Sequence, residues 1–188
     1  TAGNDSVQLK ASDDDYASGN GHDTVYGRGG NDRLDGGEGN DTLDAGAGDD
    51  TLIGGAGNDG LNGGDGANTI EFAAGDGQDV VAALARGSNA LLLDDSVGGG
   101  DVAVSWTNAS FTSSHWQDGS TQGTTQWFAG LRLSLANGVD SVRATVSNVV
   151  DFAYYDTSRF GLHEVRFAGA APWTLQTLLA RANQSTTG

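Results

Sequence analysis

Cysteine and methionine are absent from the 188 residues, and proline occurs once. Without cysteine there is no disulfide framework, no thiolate zinc site and no cysteine nucleophile. Basic residues are scarce: 9 Lys and Arg stand against 25 Asp and Glu, a formal net charge of −16. Nucleic acid and anionic lipid surfaces are therefore poor partners, with no nucleic acid expected, and cations are favoured. No apolar run reaches the ~18 residues of a membrane-spanning helix, which excludes membrane insertion by a helix of this chain. No charged-then-apolar leader follows Thr1 and no initiator Met precedes it, so the reading is a piece of a larger parent polypeptide that extends N-terminal to Thr1.

The mean composition hides a division. Residues 1–79 contain 15 Asp and 2 Glu against 3 Lys and Arg, a net −14, and 20 of the 31 Gly. Residues 80–188 contain 7 Asp and 1 Glu against 6 Arg, a net −2, and all four Trp. An acidic, glycine-rich segment short of apolar bulk is ordinarily disordered. Here order lies in the spacing.

Aspartate recurs every nine residues at Asp5, Asp14, Asp23, Asp32, Asp41, Asp50 and Asp59, with Asn68 in the next register. Two residues later comes an apolar or aromatic side chain: Val7, Tyr16, Val25, Leu34, Leu43, Leu52, Leu61 and Ile70. Two residues earlier comes Gly3, Gly21, Gly30, Gly39, Gly48, Gly57 or Gly66, with Ser12 as the break. Four residues earlier, Gly19, Gly37, Gly46, Gly55 and Gly64 recur. Copies such as GGEGNDTLD and GGAGNDGLN define the nonapeptide G-G-x-G-x-D-x-U-x. Chance does not place eight copies in phase.

Each copy has a glycine half that turns tightly and an x-U-x half that is a minimal strand with one inward apolar side chain. One such strand buries nothing, but stacked copies do. With successive strands on opposite sides of a flattened coil, two copies make one 18-residue turn. Val7, Val25, Leu43 and Leu61 then stack in one sheet, and Tyr16, Leu34, Leu52 and Ile70 in the other.

The loops stack too, placing aspartates of one edge about 4.8 Å apart. Like charges at that spacing repel, and so thin a core does not offset them. A hard cation between neighbouring loops reverses the sign. Calcium suits the site, because it takes six to eight carboxylate and carbonyl oxygens, whereas magnesium demands a stricter octahedron. With no Cys and only three His, zinc and copper are disfavoured. The expected ligands are the register aspartates with Asn68, and loop carbonyls from Gly19, Gly21, Gly27, Gly29, Gly30, Gly36, Gly37, Gly39, Gly46, Gly48, Gly54, Gly55, Gly57, Gly64 and Gly66. Pairs 5–23, 23–41 and 41–59 on one edge and 14–32, 32–50 and 50–68 on the other give about six ions, whose +12 nearly balances the −14. Asp13, Asp15, Asp35, Asp44, Asp49 and Asp65 lie off the register and read as solvated turn residues, and His22 as an exposed loop residue.

These repeats resemble the RTX (repeat-in-toxin) calcium-binding β-roll of Gram-negative secreted proteins. Residues 72–81, FAAGDGQDVV, resemble the strand that follows the roll in that family, with Asp79 falling 11 residues after Asn68 and joining the expected ligands. Glu164 to Ala168 with Trp173, Thr174 and Leu178 resemble the family's C-terminal related segment, although Gly169-Ala170-Ala171 replaces its acidic turn. The resemblance implies an all-β fold: a right-handed parallel β-roll over 1–79 and a β-rich C-terminal cap over 80–188. It also implies export through type I secretion machinery, folding in extracellular calcium or at the cell surface, and a toxin, adhesin or exoenzyme as the parent.

Beyond residue 80 the pattern turns to period two, at Leu91 and Leu93, then at Val102, Val104 and Trp106. Leu131, Leu133 and Leu135, then Asn137-Gly138, then Val142, Ala144 and Val146 predict a hairpin. Leu175, Leu178, Leu179 and Ala182 predict a helix over about 174–183 with Thr174 as its N-cap. Residues 95–130 resemble no named family; with Trp106, Trp116, Trp127 and Trp173 they raise the alternative of a carbohydrate-binding or surface-adhesion domain, against a reading of these Trp as cap core. His163-Glu164 lacks the second His of a zinc protease motif and no G-x-S-x-G occurs, so the chain reads as no enzyme.

Overall fold

The computed structural model describes residues 2–84, 89–97, 102–117, 120–135, 141–148, 162–167, 171–174, 177 and 180–181, with backbone alone for 82–84, most of 102–135, 141–148 and 162–163. Eight short strands fill the repeats: β1 (Ser6–Gln8), β2 (Asp15–Asn20), β3 (Thr24–Tyr26), β4 (Arg33–Glu38), β5 (Thr42–Asp44), β6 (Thr51–Ala56), β7 (Gly60–Gly64) and β8 (Thr69–Phe72). Each holds one apolar residue of the nine-residue register, which is why the strands are short and evenly spaced. Seven more follow: β9 (Gln78–Leu84), β10 (Asn89–Leu93), β11 (Val102–Gln117), β12 (Ser120–Leu135), β13 (Ser141–Asn148), β14 (Leu162–Phe167) and β15 (Trp173–Thr174).

Odd and even strands of the repeats segregate into two parallel sheets, as a coil of 18-residue turns requires. Val7 lies opposite Val25, Val25 opposite Leu43, and Leu43 opposite Leu61. In the other sheet Tyr16 lies opposite Leu34, Leu34 opposite Leu52, and Leu52 opposite Ile70. Val25, Leu34, Leu43, Leu52, Leu61 and Ile70 are at most 1% exposed. Each such side chain contributes about 1.5–3 kcal/mol. Val7 and Tyr16, at the open end, are only half-buried.

The register break after Asn68 becomes a longer turn. Leu61 pairs with Val81 and Ile70 with Leu91, so the coil adds residues without losing strand pairing. Two extra residues fall before β9, where the Ala73–Asp76 turn lies and the Ala73 amide donates to Asp76 Oδ2 at 2.6 Å, and a third falls between Val81 and Leu91.

Both sheets then run on into the acid-poor half. Strand β13 pairs parallel with β9, and β12 and β11 extend that sheet antiparallel; β14 pairs parallel with β10, and β15 closes the other sheet. Leu91, Leu93, Leu133, Val165 and Phe167 join the roll's ladder in one apolar cluster. Trp173 packs against it, its ring edge-on to Phe167 at 4.6 Å, with the Arg181 guanidinium 3.8 Å above the ring centre. The side chains of Trp106, Trp116 and Trp127 lie outside those described.

The alternations at Leu91 and Val102 fall in β10 and β11, and Leu133 pairs with Val142 across β12 and β13 as the hairpin pattern predicts. The turn at 136–140 lies outside the described residues. Residues 102–130, within the 95–130 segment that resembles no named family, are mostly two 16-residue antiparallel strands, and β13 pairs with β12 at Phe128–Ser134 among the described residues. Of the helix expected over about 174–183, only Thr177, Ala180 and Arg181 are described as helical, and Thr174 itself lies in β15. The Thr174 hydroxyl accepts from the Thr177 amide at 3.4 Å.

Candidate metal sites in the loop stacks

Parallel pairing at an 18-residue offset places each register aspartate above its predecessor. One carboxylate oxygen is committed to the backbone. Oδ1 of Asp23, Asp32, Asp41, Asp50 and Asp59 accepts from the backbone amide of Asp5, Asp14, Asp23, Asp32 and Asp41 in turn, at 2.7–2.9 Å. The ladder ends at amides on one edge, where Asn68 Oδ1 accepts from Asp50 at 3.0 Å and Asn89 Oδ1 from Asn68 at 3.1 Å. On the other edge Asp79 Oδ1 accepts from the Asp59 amide at 3.0 Å, across the 20-residue turn. Asp5 and Asp14, at the open end, are half-buried.

The second oxygen has no such commitment. Oδ2 of Asp23, Asp32, Asp41, Asp50 and Asp59 is buried without a hydrogen-bond partner among the described residues, although each of these residues is no more than 2% exposed. A buried anionic oxygen without a partner is costly. Burial raises the pKa of Asp32, Asp41 and Asp50 above 3.8 and pushes Asp59 up to about 6. The amide from the neighbouring loop pulls each back down, and the stacked carboxylates, Asp14, Asp23, Asp32 and Asp41 respectively, push it up again. A divalent cation among these oxygens removes both penalties.

The glycines shape the cradle. Gly19, Gly21, Gly30, Gly37, Gly39, Gly46, Gly48, Gly55, Gly57, Gly64 and Gly66 all have positive φ. At Gly37 the need is double: φ is +95°, and a Cβ would strike the Gly19 carbonyl of the turn before. Gly27, Gly36 and Gly54 sit five residues before an aspartate, where a Cβ would run into that residue's Oδ2. At Gly29 a Cβ would meet the Ala47 carbonyl oxygen at an ordinary 3.5 Å. Among the described residues no three His, Asp or Glu side chains converge on one point. Carboxylates come in stacked pairs, so any ion here completes its shell with backbone carbonyls. That donor set is all oxygen and suits calcium.

Two structural roles are absent from the sequence reading. Asn89 completes the ladder, but no nine-residue spacing points to it. A second ladder runs the opposite way one residue earlier. Asn4 Oδ1 accepts from the His22 amide, His22 Nδ1 from Asn40, Asn40 Oδ1 from Asn58 and Asn58 Oδ1 from Gln78, at 2.7–2.9 Å. On the other edge Asp13 Oδ1 accepts from Asn31, Asn31 Oδ1 from Asp49, and Asp49 Oδ1 from Ala67. Asp13 and Asp49 are exposed as expected, yet they brace the loops. The signal was present: a short acceptor precedes nearly every register aspartate.

The RTX calcium-binding nonapeptide repeat (4 copies) matches residues 1–25, 10–43, 26–61, 35–70 and 44–81. Comparison with curated proteins finds no significant match. Among solved structures the chain is similar to the AlgE6R3 subunit of the Azotobacter vinelandii mannuronan C5-epimerase, in solution, at 21% identity over 82% of this chain and 84% of that one. The TM-score of 0.31 is too low for that likeness to bear on function. The family pattern, the coil and the stacked aspartates coincide over the same residues: residues 1–81 of this chain are RTX calcium-binding nonapeptide repeats.

Proposed function

We propose that the chain is a calcium-triggered folding module: disordered when calcium is scarce, ordered when calcium is abundant, and part of a larger secreted bacterial protein that leaves the cell through a type I secretion system. The observation that carries this reading is the set of buried Oδ2 atoms without partners, stacked one turn apart. In the proposal Asp5, Asp23, Asp41, Asp59 and Asp79 hold ions along one edge, and Asp14, Asp32 and Asp50 with Asn68 along the other, each pair aided by loop carbonyls. The division into a roll over 1–79 and a cap over 80–188 belongs to the same proposal, with the cap covering the last turn's apolar residues.

Calcium when bound would supply the positive charge; the chain supplies the carboxylate and carbonyl oxygens that would hold it. In the folded roll the ladder amides hold each carboxylate in place, and the thin core leaves folding dependent on what the loops gain. Extracellular modules bind calcium with Kd of about 10⁻⁴–10⁻³ M. At ten times Kd each ion held only by the folded state adds about 1.4 kcal/mol, so about six ions add roughly 8 kcal/mol. That matches the stability of an ordinary domain, about 5–15 kcal/mol. At cytosolic calcium the sum is near zero, and the chain stays threadable. Far-UV circular dichroism of the full chain across a calcium titration tests the reading. A cooperative gain of β signal is expected; β structure already complete in excess chelator overturns it.

A further inference from the structure

The loops are not equal. Five residues before Asp32, Asp41 and Asp59 stands a glycine, but the same place holds Leu9 before Asp14, Ser18 before Asp23 and Ala45 before Asp50. At Gly36 a Cβ would lie 2.5 Å from both Asp41 Oδ2 and the Gly54 carbonyl oxygen of the next turn. At Gly27 it would crowd Asp32 Oδ2 and lie 2.6 Å from the Ala45 carbonyl oxygen. In these gaps a carboxylate oxygen and a carbonyl of the next turn face space that no side chain enters.

Ser18 fills the equivalent space in the 23–41 gap. It is fully buried, and its hydroxyl donates to the Gly36 carbonyl at 2.8 Å and to the Asp35 carbonyl at 3.3 Å. The Gly36 carbonyl corresponds, one loop along, to the Gly54 carbonyl that faces the 41–59 gap. Ala45, five residues before Asp50, carries a fully buried methyl that belongs to the core cluster, and Asn68 Nδ2 donates to the Gly64 carbonyl at 3.3 Å. Leu9 turns a half-buried side chain onto the core cluster beside the 14–32 gap.

The geometry points to the residue five before each aspartate as the one that ranks the gaps: Ser18, Ala45 and Leu9 weaken calcium binding at 23–41, 50–68 and 14–32, and Gly27, Gly36 and Gly54 leave 32–50, 41–59 and 59–79 open for tight binding. This ranking rests on the calcium binding of the proposed function and refines it: of these six gaps three are tight, and 5–23 is not ranked. Removing the hydroxyl at 18 frees a carbonyl lone pair for the ion and opens space. Adding one at 36 does the reverse.

Isothermal titration calorimetry of the full chain with calcium chloride tests this, comparing wild type with Ser18→Gly and Gly36→Ser. Wild type is expected to show a tight class of about three ions and a weaker class. Ser18→Gly is expected to move one ion into the tight class with an affinity gain of about tenfold, the scale of outer-shell effects on metal sites. Gly36→Ser is expected to move one ion out of it. If Gly36→Ser does not fold, Ser18→Gly with Ala45→Gly still decides the matter, since both are expected to add tight ions. No change in Ser18→Gly overturns the ranking, and weaker binding in Ser18→Gly overturns it too, by making the hydroxyl a ligand. A wild type that binds calcium in two classes but is already folded in chelator overturns the trigger and leaves the ranking standing.

Discussion

The two edges of the roll are built on one hydrogen-bond plan but differ in charge. One edge stacks Asp5, Asp23, Asp41, Asp59 and Asp79, carboxylates throughout. The other begins Asp14, Asp32, Asp50 and finishes with the amides Asn68 and Asn89. The ladder does not register the change: the Asp59 amide reaches Asp79 Oδ1 and the Asp50 amide reaches Asn68 Oδ1 at the same 3.0 Å. The ladder therefore needs an oxygen acceptor, not a charge. What an aspartate on either edge has in addition is Oδ2, which in Asp23, Asp32, Asp41, Asp50 and Asp59 is buried with no hydrogen-bond partner among the described residues. At Asn68 the corresponding atom is an Nδ2 that donates to the Gly64 carbonyl. An aspartate thus does two separable jobs, and only the second calls for a metal.

Chelation is the harshest test of that separation. Removing calcium is expected to unfold both edges together, because the shared apolar ladder cannot hold one edge when the other opens. The expected loss is the whole ion contribution, roughly 8 kcal/mol for about six ions at ten times Kd. Hydrogen exchange in chelator reads this directly, and protection surviving along the Asn68–Asn89 edge alone would show that the edges are independent.

Substitution at one position divides the two jobs. Asp41→Ala loses the acceptor for the Asp23 amide and a ligand for two gaps, an expected cost of about 4 kcal/mol from about 1 for the hydrogen bond and 1.4 for each ion. Asp41→Asn keeps the acceptor, as Asn68 does, and is expected to cost about 3 kcal/mol. Asp44→Ala, an off-register carboxylate in β5, is expected to stay within about 0.5 kcal/mol. Urea denaturation in saturating calcium orders the three. Equal costs for Asp44→Ala and Asp41→Ala would remove the register from the argument.

Acid separates the loaded and metal-free rolls by sign. Without calcium, burial raises the folded-state pKa of Asp32, Asp41 and Asp50, and puts that of Asp59 at about 6 against an unperturbed 3.8. A raised folded pKa stabilises the fold below the unfolded value, and the contribution fades as pH rises through the folded one. For Asp59 that window runs from 3.8 to about 6. The metal-free chain is therefore expected to gain β signal as pH falls from 7 towards 4, whereas the calcium-loaded chain loses stability, because its ligands must stay ionised. Circular dichroism in chelator and in calcium at both pH values checks the opposite slopes; parallel slopes would mean that the buried carboxylates are not the groups that matter.

The roll was legible because one physical period governs everything in it. Nine residues fix turn, strand and ligand at once, so Val25, Leu43 and Leu61 found their partners from spacing alone. Asn89 was hidden because its turn departs from that period, and the chain records its position only through pairing with Asn68. Ser18 was hidden for another reason: a serine in place of a glycine reads as a weak repeat, and only its burial against the Gly36 carbonyl shows what it does. In β11 and β12 the outer halves, such as Thr112-Ser113-Ser114 and Thr124-Thr125-Gln126, are polar on both parities. No face is marked there, and the partner strand alone sets the register.

The edges differ last at a backbone angle. Four residues before Asp41 and Asp59 stand Gly37 and Gly55, but Arg28 holds that place before Asp32. Its φ is +76°, and among the described residues it is the one non-glycine residue at positive φ, beside +102° for Gly46 one turn on. A side chain in that region costs about 1–2 kcal/mol. The guanidinium hydrogen-bonds Gln8 Oε1 at an exposed position, which recovers little. The Arg28 carbonyl already accepts from the Ala47 amide at 3.1 Å, so the loop keeps its shape whatever the side chain. Glycine at 28 removes the strain; against this, its freer unfolded state costs about 0.5–1 kcal/mol. Arg28→Gly is expected to stabilise the calcium-loaded roll by up to about 1 kcal/mol, a Tm rise of about 2–4 °C for a chain of this size. Arg33, exposed in β4 at ordinary φ, is the control: Arg33→Gly meets the same unfolded-state cost with no strain to relieve, so its Tm is expected to fall. A calcium-saturated melt in which both variants fall alike would show that the charged edge and the mixed edge carry no difference in backbone strain.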